Sequence, residues 1–151
     1  MAIQFLDSRL SLQLSNSEGT EHISRTPQLL GDIGLETIAA VGTPNQSNIR
    51  VSLWGTIGVS GKSGDAVSIF VQRGGTDQLD PGPIIYSAVV ELTGRSNTQL
   101  LTFAAGDFPS AQDAASGEIR YTMFTREHNS KSRVILTGPI SFNGMAVAGN
   151  A

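Results

Sequence analysis

From Ile49 onward, apolar residues recur at every second position. Ile49, Val51, Leu53, Ile57 and Val59 stand on one side of a two-residue repeat, with Arg50, Ser52 and Thr56 on the other. Successive side chains of a strand point to opposite faces, so this is the pattern of a half-buried β-strand. It returns in Val67, Ile69 and Val71, and again in Ile119, Tyr121 and Met123. Clusters of turn-forming residues separate the runs: Gly61-Lys62-Ser63-Gly64-Asp65, Asp80-Pro81-Gly82-Pro83, Gly94-Arg95-Ser96-Asn97 and His128 to Ser132. The spacing predicts strands over 49–59, 67–72, 84–93, 99–104, 118–126, 134–136 and 140–147, with a long loop over 106–117 and no convincing helix. The expected fold is all-β: an antiparallel jelly-roll sandwich of about eight strands with an N-terminal extension.

The first residues differ from the rest. Leu10, Leu12 and Leu14 alternate with Arg9, Ser11, Gln13 and Ser15, and apolar Ile3, Phe5 and Leu6 precede them. Residues 16–32 are polar and turn-rich, with Gly19, Pro27 and Gly31. This predicts an N-terminal extension and linker over 1–32 and a sandwich domain over 33–151, beginning with a strand over 35–41. The run from Ile140 through Phe142, Met145 and Val147 is apolar and followed by small residues. As the last strand of a monomer it would lie exposed at an edge, so it is expected to be covered by other copies.

Composition narrows the function. Only 15% of the residues are charged, while Ser, Thr, Asn and Gln together supply 44 of the 151. Low surface charge weakens the repulsion that keeps copies apart, and charge is depleted at the centres of subunit interfaces. A net charge of −3 and scattered Lys and Arg argue against a nucleic-acid partner. The absence of cysteine excludes disulfides, thiolate metal sites and a cysteine nucleophile. No apolar run approaches the ~18–20 residues of a spanning helix, so no membrane insertion is expected. The segment from Met1 to Asp7 has neither a basic region nor a long apolar one, which predicts no Sec export.

Reaction chemistry is sparse. The stretch from Gly55 to Ser63 has five residues where a phosphate loop needs four before Gly-Lys-Ser, and a strand, not a helix, is predicted after it. His22 and His128 lie in polar, turn-like stretches without metal-ligand spacing. A triad of Ser60, His128 and Asp107 has no nucleophile elbow to support it. Asp77 and Asp80 share a Gly/Pro-rich loop with too few oxygens for calcium. Trp54 falls opposite the Leu53 row, where it serves as packing or as a sugar platform. Asn45-Gln46-Ser47 matches a glycosylation sequon by chance if the chain is not exported. The expectation is a non-enzymatic protein with no cofactor, metal or catalytic residue.

The order Ile119-Arg120-Tyr121-Thr122-Met123-Phe124, a polar turn, then Val134-Ile135-Leu136-Thr137-Gly138-Pro139-Ile140-Ser141-Phe142-Asn143-Gly144 resembles the closing half of small jelly-roll modules on bacterial spores. These are the trimeric tumour-necrosis-factor-like tips of collagen-like exosporium proteins and the subunits of endospore appendage fibres. No collagen Gly-X-Y stalk precedes the module here, and cross-linking cysteines are absent. The resemblance implies a structural subunit of the spore surface, assembled without a Sec signal. It would self-associate as a trimer through an edge at Ile140, Phe142, Met145 and Val147. Trimers would stack into a fibre by docking Ile3, Phe5, Leu6, Leu10, Leu12 and Leu14 in a neighbour, and an anchoring surface protein would hold the fibre. Two other readings remain open on the residues alone: a phage or virion structural protein, and a carbohydrate-binding module using Trp54 and the loop from Asp77 to Gly82.

Overall fold

The computed structural model describes residues 2–94, 98–129 and 133–149. Two antiparallel sheets pack face to face as a jelly-roll sandwich of nine strands. The first sheet has the order β1 (Gln4–Leu14), β9 (Ile135–Ala148), β4 (Ile49–Ser60), β7 (Gln99–Asp107), and the short β2 (Glu21–His22) adds to β9. The second has the order β3 (Gln28–Glu36), β8 (Glu118–Glu127), β5 (Ala66–Arg73), β6 (Ile84–Glu91). The turns expected at 94–97 and 128–132 fall partly on residues outside those described.

The predicted alternation places the core. Ile49, Val51, Leu53, Ile57 and Val59 of β4 are buried against Val67, Ile69 and Val71 of β5 and Ile119, Tyr121 and Met123 of β8. On β9 the alternation is strict over all 14 residues: Leu136, Gly138, Ile140, Phe142, Gly144, Ala146 and Ala148 are buried and the odd-numbered residues between them are half-buried. Leu136, Ile140 and Phe142 each contribute ~1.5–3 kcal/mol if their apolar surface leaves water completely.

Three expectations are corrected. The segment 134–147 is one strand, not two, because β9 runs on through Gly138-Pro139, where Gly138 has φ +79° and the Gly138-Pro139 peptide is cis. The strand expected over 35–41 lies earlier, as β3 at Gln28–Glu36, and a turn follows it. Pro27 and Gly31 had read as loop punctuation. Instead Pro27 precedes the strand, and Gly31 sits at a register shift where a Cβ would lie 2.5 Å from Phe142 Cβ. Thus Gly31 makes room for the largest side chain of β9. Third, Ile140, Phe142, Met145 and Val147 do not form a sheet edge. β9 lies between β1 and β4, so Ile140 and Phe142 are buried within the protomer and only Met145 and Val147 turn outward. The covering strand is the protomer's own β1, which pairs from Gln4 opposite Ala148 to Leu14 opposite Ile140.

Gly58 faces the irregular part of β9. A Cβ there would stand 1.9 Å from the carbonyl oxygen of Gly138, and backbone cannot give way as a side-chain tip does. Gly58→Ala is expected to cost about 3 kcal/mol, the upper end of overpacking effects. The check is a urea unfolding midpoint that falls with unchanged slope.

Candidate functional site

Buried charge is concentrated at one end of the sandwich. Arg73 closes β5, Asp107 closes β7, and Tyr121 points inward from β8. Arg73 Nη1 donates to Asp107 Oδ1 at 2.7 Å and Oδ2 at 2.9 Å, and the Tyr121 hydroxyl donates to Oδ2 at 2.7 Å. Asp113 of the short helix α1 (Ala111–Ala114) stands 3.6 Å from Arg73 Nε and completes a capping box with Ser110. Burial, then the hydrogen bond to the Asp107 carboxylate, holds the Tyr121 phenol above its ordinary value. The Asp107 carboxylate therefore accepts three hydrogen bonds from groups fixed on two strands of the other sheet. It works as a clasp between sheets, not as a base presented to a substrate.

The other sequence candidates are scattered. Ser60 closes β4 at the end opposite Val51, and Val51 is the partner of Asp107 in the ladder. His128 Nδ1 is 3.1 Å from Ser68 Oγ. Ser60, His128 and Asp107 are therefore not brought together. Asp77 pairs with Arg120, which also grips Asp32 through two hydrogen bonds. Asp80 Oδ2 accepts from Thr76 Oγ1 at 2.9 Å. Ser63 and Gly64 form the turn between β4 and β5, so the Gly-Lys-Ser stretch has strands on both sides.

A different kind of site lies on the outer side of the first sheet. Ladder partners share a face, so the registers of β1, β9, β4 and β7 fix its rows. Leu10, Asn143, Trp54 and Ala104 make one row, and Ser8, Met145, Ser52 and Gly106 the next. Phe5, Val147 and Arg50 extend the face at one end, while Leu12, Ser141, Thr56 and Thr102 continue it at the other, next to Gly58 and Leu100. Five of the ten exposed large apolar side chains among the described residues are here: Phe5 (60%), Leu10 (66%), Leu12 (56%), Trp54 (43%) and Leu100 (56%). Arg50 is the one charged residue in these rows, and its Nη2 is turned to the Gly149 carbonyl at 3.0 Å.

The N-terminal apolar residues are thereby sorted into two groups. A register shift between Phe5 and Asp7 turns Leu6 toward the core, and a second between Leu12 and Leu14 does the same for Leu14. Ile3, Phe5, Leu10 and Leu12 remain exposed. Sequence alone had treated all six as equivalent. Strand alternation gave the Leu10/Leu12 pairing, but the bulges that redirect Leu6 and Leu14 have no local signature. The shared face with Trp54 and Leu100 depends on strand order, which periodicity does not contain.

No model of a known protein family and no curated protein matches the sequence. Among solved structures, the chain is similar to latent PorU from Porphyromonas gingivalis at 11% identity and a TM-score of 0.49, over 97% of this chain. It spans only 13% of the PorU chain. Similarity to the Eiger TNF from S. frugiperda is at 15% identity and a TM-score of 0.48, covering 97% of this chain and 94% of that one. A third likeness is to the VP2 subviral particle of infectious bursal disease virus, at 11% identity and a TM-score of 0.46, over 94% of this chain and 32% of that one. At these values the likenesses bear on neither activity nor partners.

The clasp makes a pH-dependent prediction. Because the folded state raises the Tyr121 pKa, its contribution is complete below the ordinary phenol value of ~10. It declines as pH rises beyond that, by up to ~1.4 kcal/mol per pH unit. Tyr121→Phe should cost about 1–2 kcal/mol at neutral pH through the lost hydrogen bond. Urea midpoints at about pH 8 and about pH 11 should fall less in the variant than in the parent, since the unfolded-state phenol that drives the loss is gone.

Proposed function

We propose that this chain is a non-enzymatic structural subunit that assembles with copies of itself through the outer face of the β1-β9-β4-β7 sheet. The observation that carries this reading is the concentration of Phe5, Leu10, Leu12, Trp54 and Leu100 on a face with a single charge. Four strands about 4.8 Å apart and some eight residues long give a footprint of roughly 500 Å² before side-chain relief is counted. That footprint, apolar and neutral polar groups together, approaches the ~800 Å² each partner gives to a standard interface. An occupant rich in charge would leave those charges unpaired against this face. A second copy of it brings none beyond Arg50.

The apolar groups are divided between the two borders of the sheet, Phe5, Leu10 and Leu12 on β1 and Leu100 on β7. Trp54 stands between them. A border-to-border contact is heterologous and gives a ring where its rotation closes, for which a trimer is the form we take forward. In this assembly Phe5, Leu10, Leu12, Met145 and Val147 act as side chains on a shared face, while Leu6, Leu14, Ile140 and Phe142 hold the protomer together. Stacking of such rings into a surface fibre or appendage, on a spore or a virion, is the larger structure this subunit would build.

The double variant Leu10→Glu, Trp54→Glu tests the reading. Both positions are solvent-facing in the protomer, so the far-ultraviolet spectrum and the unfolding midpoint should barely change. Sedimentation velocity should show assemblies of three or more chains in the parent and none in the variant, because a buried unpaired carboxylate opposes association by several kcal/mol. A parent that is monomeric and whose Trp54 fluorescence responds to soluble oligosaccharides would instead favour a sugar-binding module. Unchanged assembly of the variant would overturn the proposal.

A further inference from the structure

We propose that β6 is a second self-association element, pairing antiparallel with β6 of another copy across a two-fold axis so that the β3-β8-β5-β6 sheet continues through both. β6 is the terminal strand of that sheet. The Leu92 N–H donates to the Asp65 carbonyl at 2.7 Å, which marks the pair next to Ala66 and Glu91 as a bonded one. Bonded pairs alternate along an antiparallel ladder, so Val90, Ala88 and Tyr86 bond to Val67, Ile69 and Val71 of β5. The other side of β5 agrees: the His128 N–H donates to the Ala66 carbonyl, so the even-numbered residues of β5 bond to β8. Ser87, Val89 and Glu91 therefore direct their N–H and C=O groups away from the sheet. Among the described residues, no backbone bond outside the β5 ladder reaches residues 84–91.

Natural sheets guard such edges with lysine, proline, bulges or a covering element. The opposite flank of this sandwich is guarded. Asp7 Oδ2 accepts the Glu36 N–H at 2.9 Å and Ser11 Oγ accepts the Asp32 N–H at 3.3 Å, so β1 side chains cover the edge of β3, and β1 itself carries two register shifts. β6 has no lysine, arginine, proline or glycine, and from Tyr86 to Glu91 its register is unbroken. Its outward side chains include Val89, which is 55% exposed.

A second copy of β6 fits this edge by charge. Antiparallel pairing keeps the sheet faces aligned only if odd-numbered residues oppose odd-numbered ones. Centred on Val89, it sets Val89 against its symmetry mate and Ser87 against Glu91, so the strand's one carboxylate never meets its own copy. β7 ends the first sheet on the same flank, where Tyr86 and Phe103 stack across the two layers with centroids 5.0 Å apart. The two-fold thus brings one two-layered flank against another. This contact does not use the outer face of the β1-β9-β4-β7 sheet, so it stands whether or not that face assembles.

Val89→Pro is the test, because proline there removes only an N–H that points to solvent in the protomer and leaves the β5 ladder intact. In the Leu10→Glu, Trp54→Glu background the chain should sediment as a dimer at high concentration, and adding Val89→Pro should weaken that dimer about tenfold or more. Amide hydrogen exchange on the unmodified chain gives a second readout. The N–H groups of Ser87, Val89 and Glu91 should become protected as concentration rises, while those of Tyr86 and Ala88 stay protected throughout. A face-blocked variant that remains monomeric, or exchange at Ser87 and Val89 independent of concentration, would overturn the proposal.

Discussion

The protein is organised by the burial of one row of side chains on β9 between the two sheets. That strand joins the first strand of the chain to β4, and its inward residues fill the space under β3 and β8. Phe142 is the tightest point: it is fully buried, its ring lies 6.3 Å from that of Phe103, and Gly31 on the facing sheet has no side chain to compete with it. If β9 shifted by one residue, this row would turn to solvent and Met145 and Val147 would turn inward. The register of β9 therefore fixes the interior and the outer face at once.

The two outer faces differ in chemistry. On the second sheet, Arg120 joins Asp32 and Asp77, and Arg126 lies 5.2 Å from the centre of the Phe70 ring. The charges of that face are paired within the protomer at Arg120, Asp32 and Asp77. Gln72 is held there by the Asp80 backbone, so the 74–83 loop folds back over the strands. The first sheet keeps its outer side nearly free of charge and leaves Leu10 and Trp54 to solvent. One face is finished and the other is not.

Much of the fold was legible in the sequence because period-two alternation is a local signal. The inward rows of β4, β5 and β8 were read residue by residue, and the boundaries of those three strands fell within a residue of those observed. The failures share one cause. Gly31, Gly138 and Pro139 carry the local signature of a turn, but here they answer to long-range packing: Gly31 to Phe142, and Gly138 to Gly58 and Leu14. The candidate site was legible only in part. Leu10, Leu12 and Trp54 were singled out separately, and nothing local states that β1 and β4 flank the same strand. The free edge of β6 was invisible for the same reason, since an edge is a property of strand order.

The oxygens of Asp7 and Ser11 on the β3 amides also limit how far the β3-β8-β5-β6 sheet can extend. A ribbon grows without end only when every unit offers a vacant hydrogen-bonding rim on its left and on its right. Here the left rim is stoppered by the molecule's own side chains, so a sheet joined at the right rim is sealed at both extremities after two units. For that sheet, a join at β6 leaves no second open rim from which a ribbon could continue.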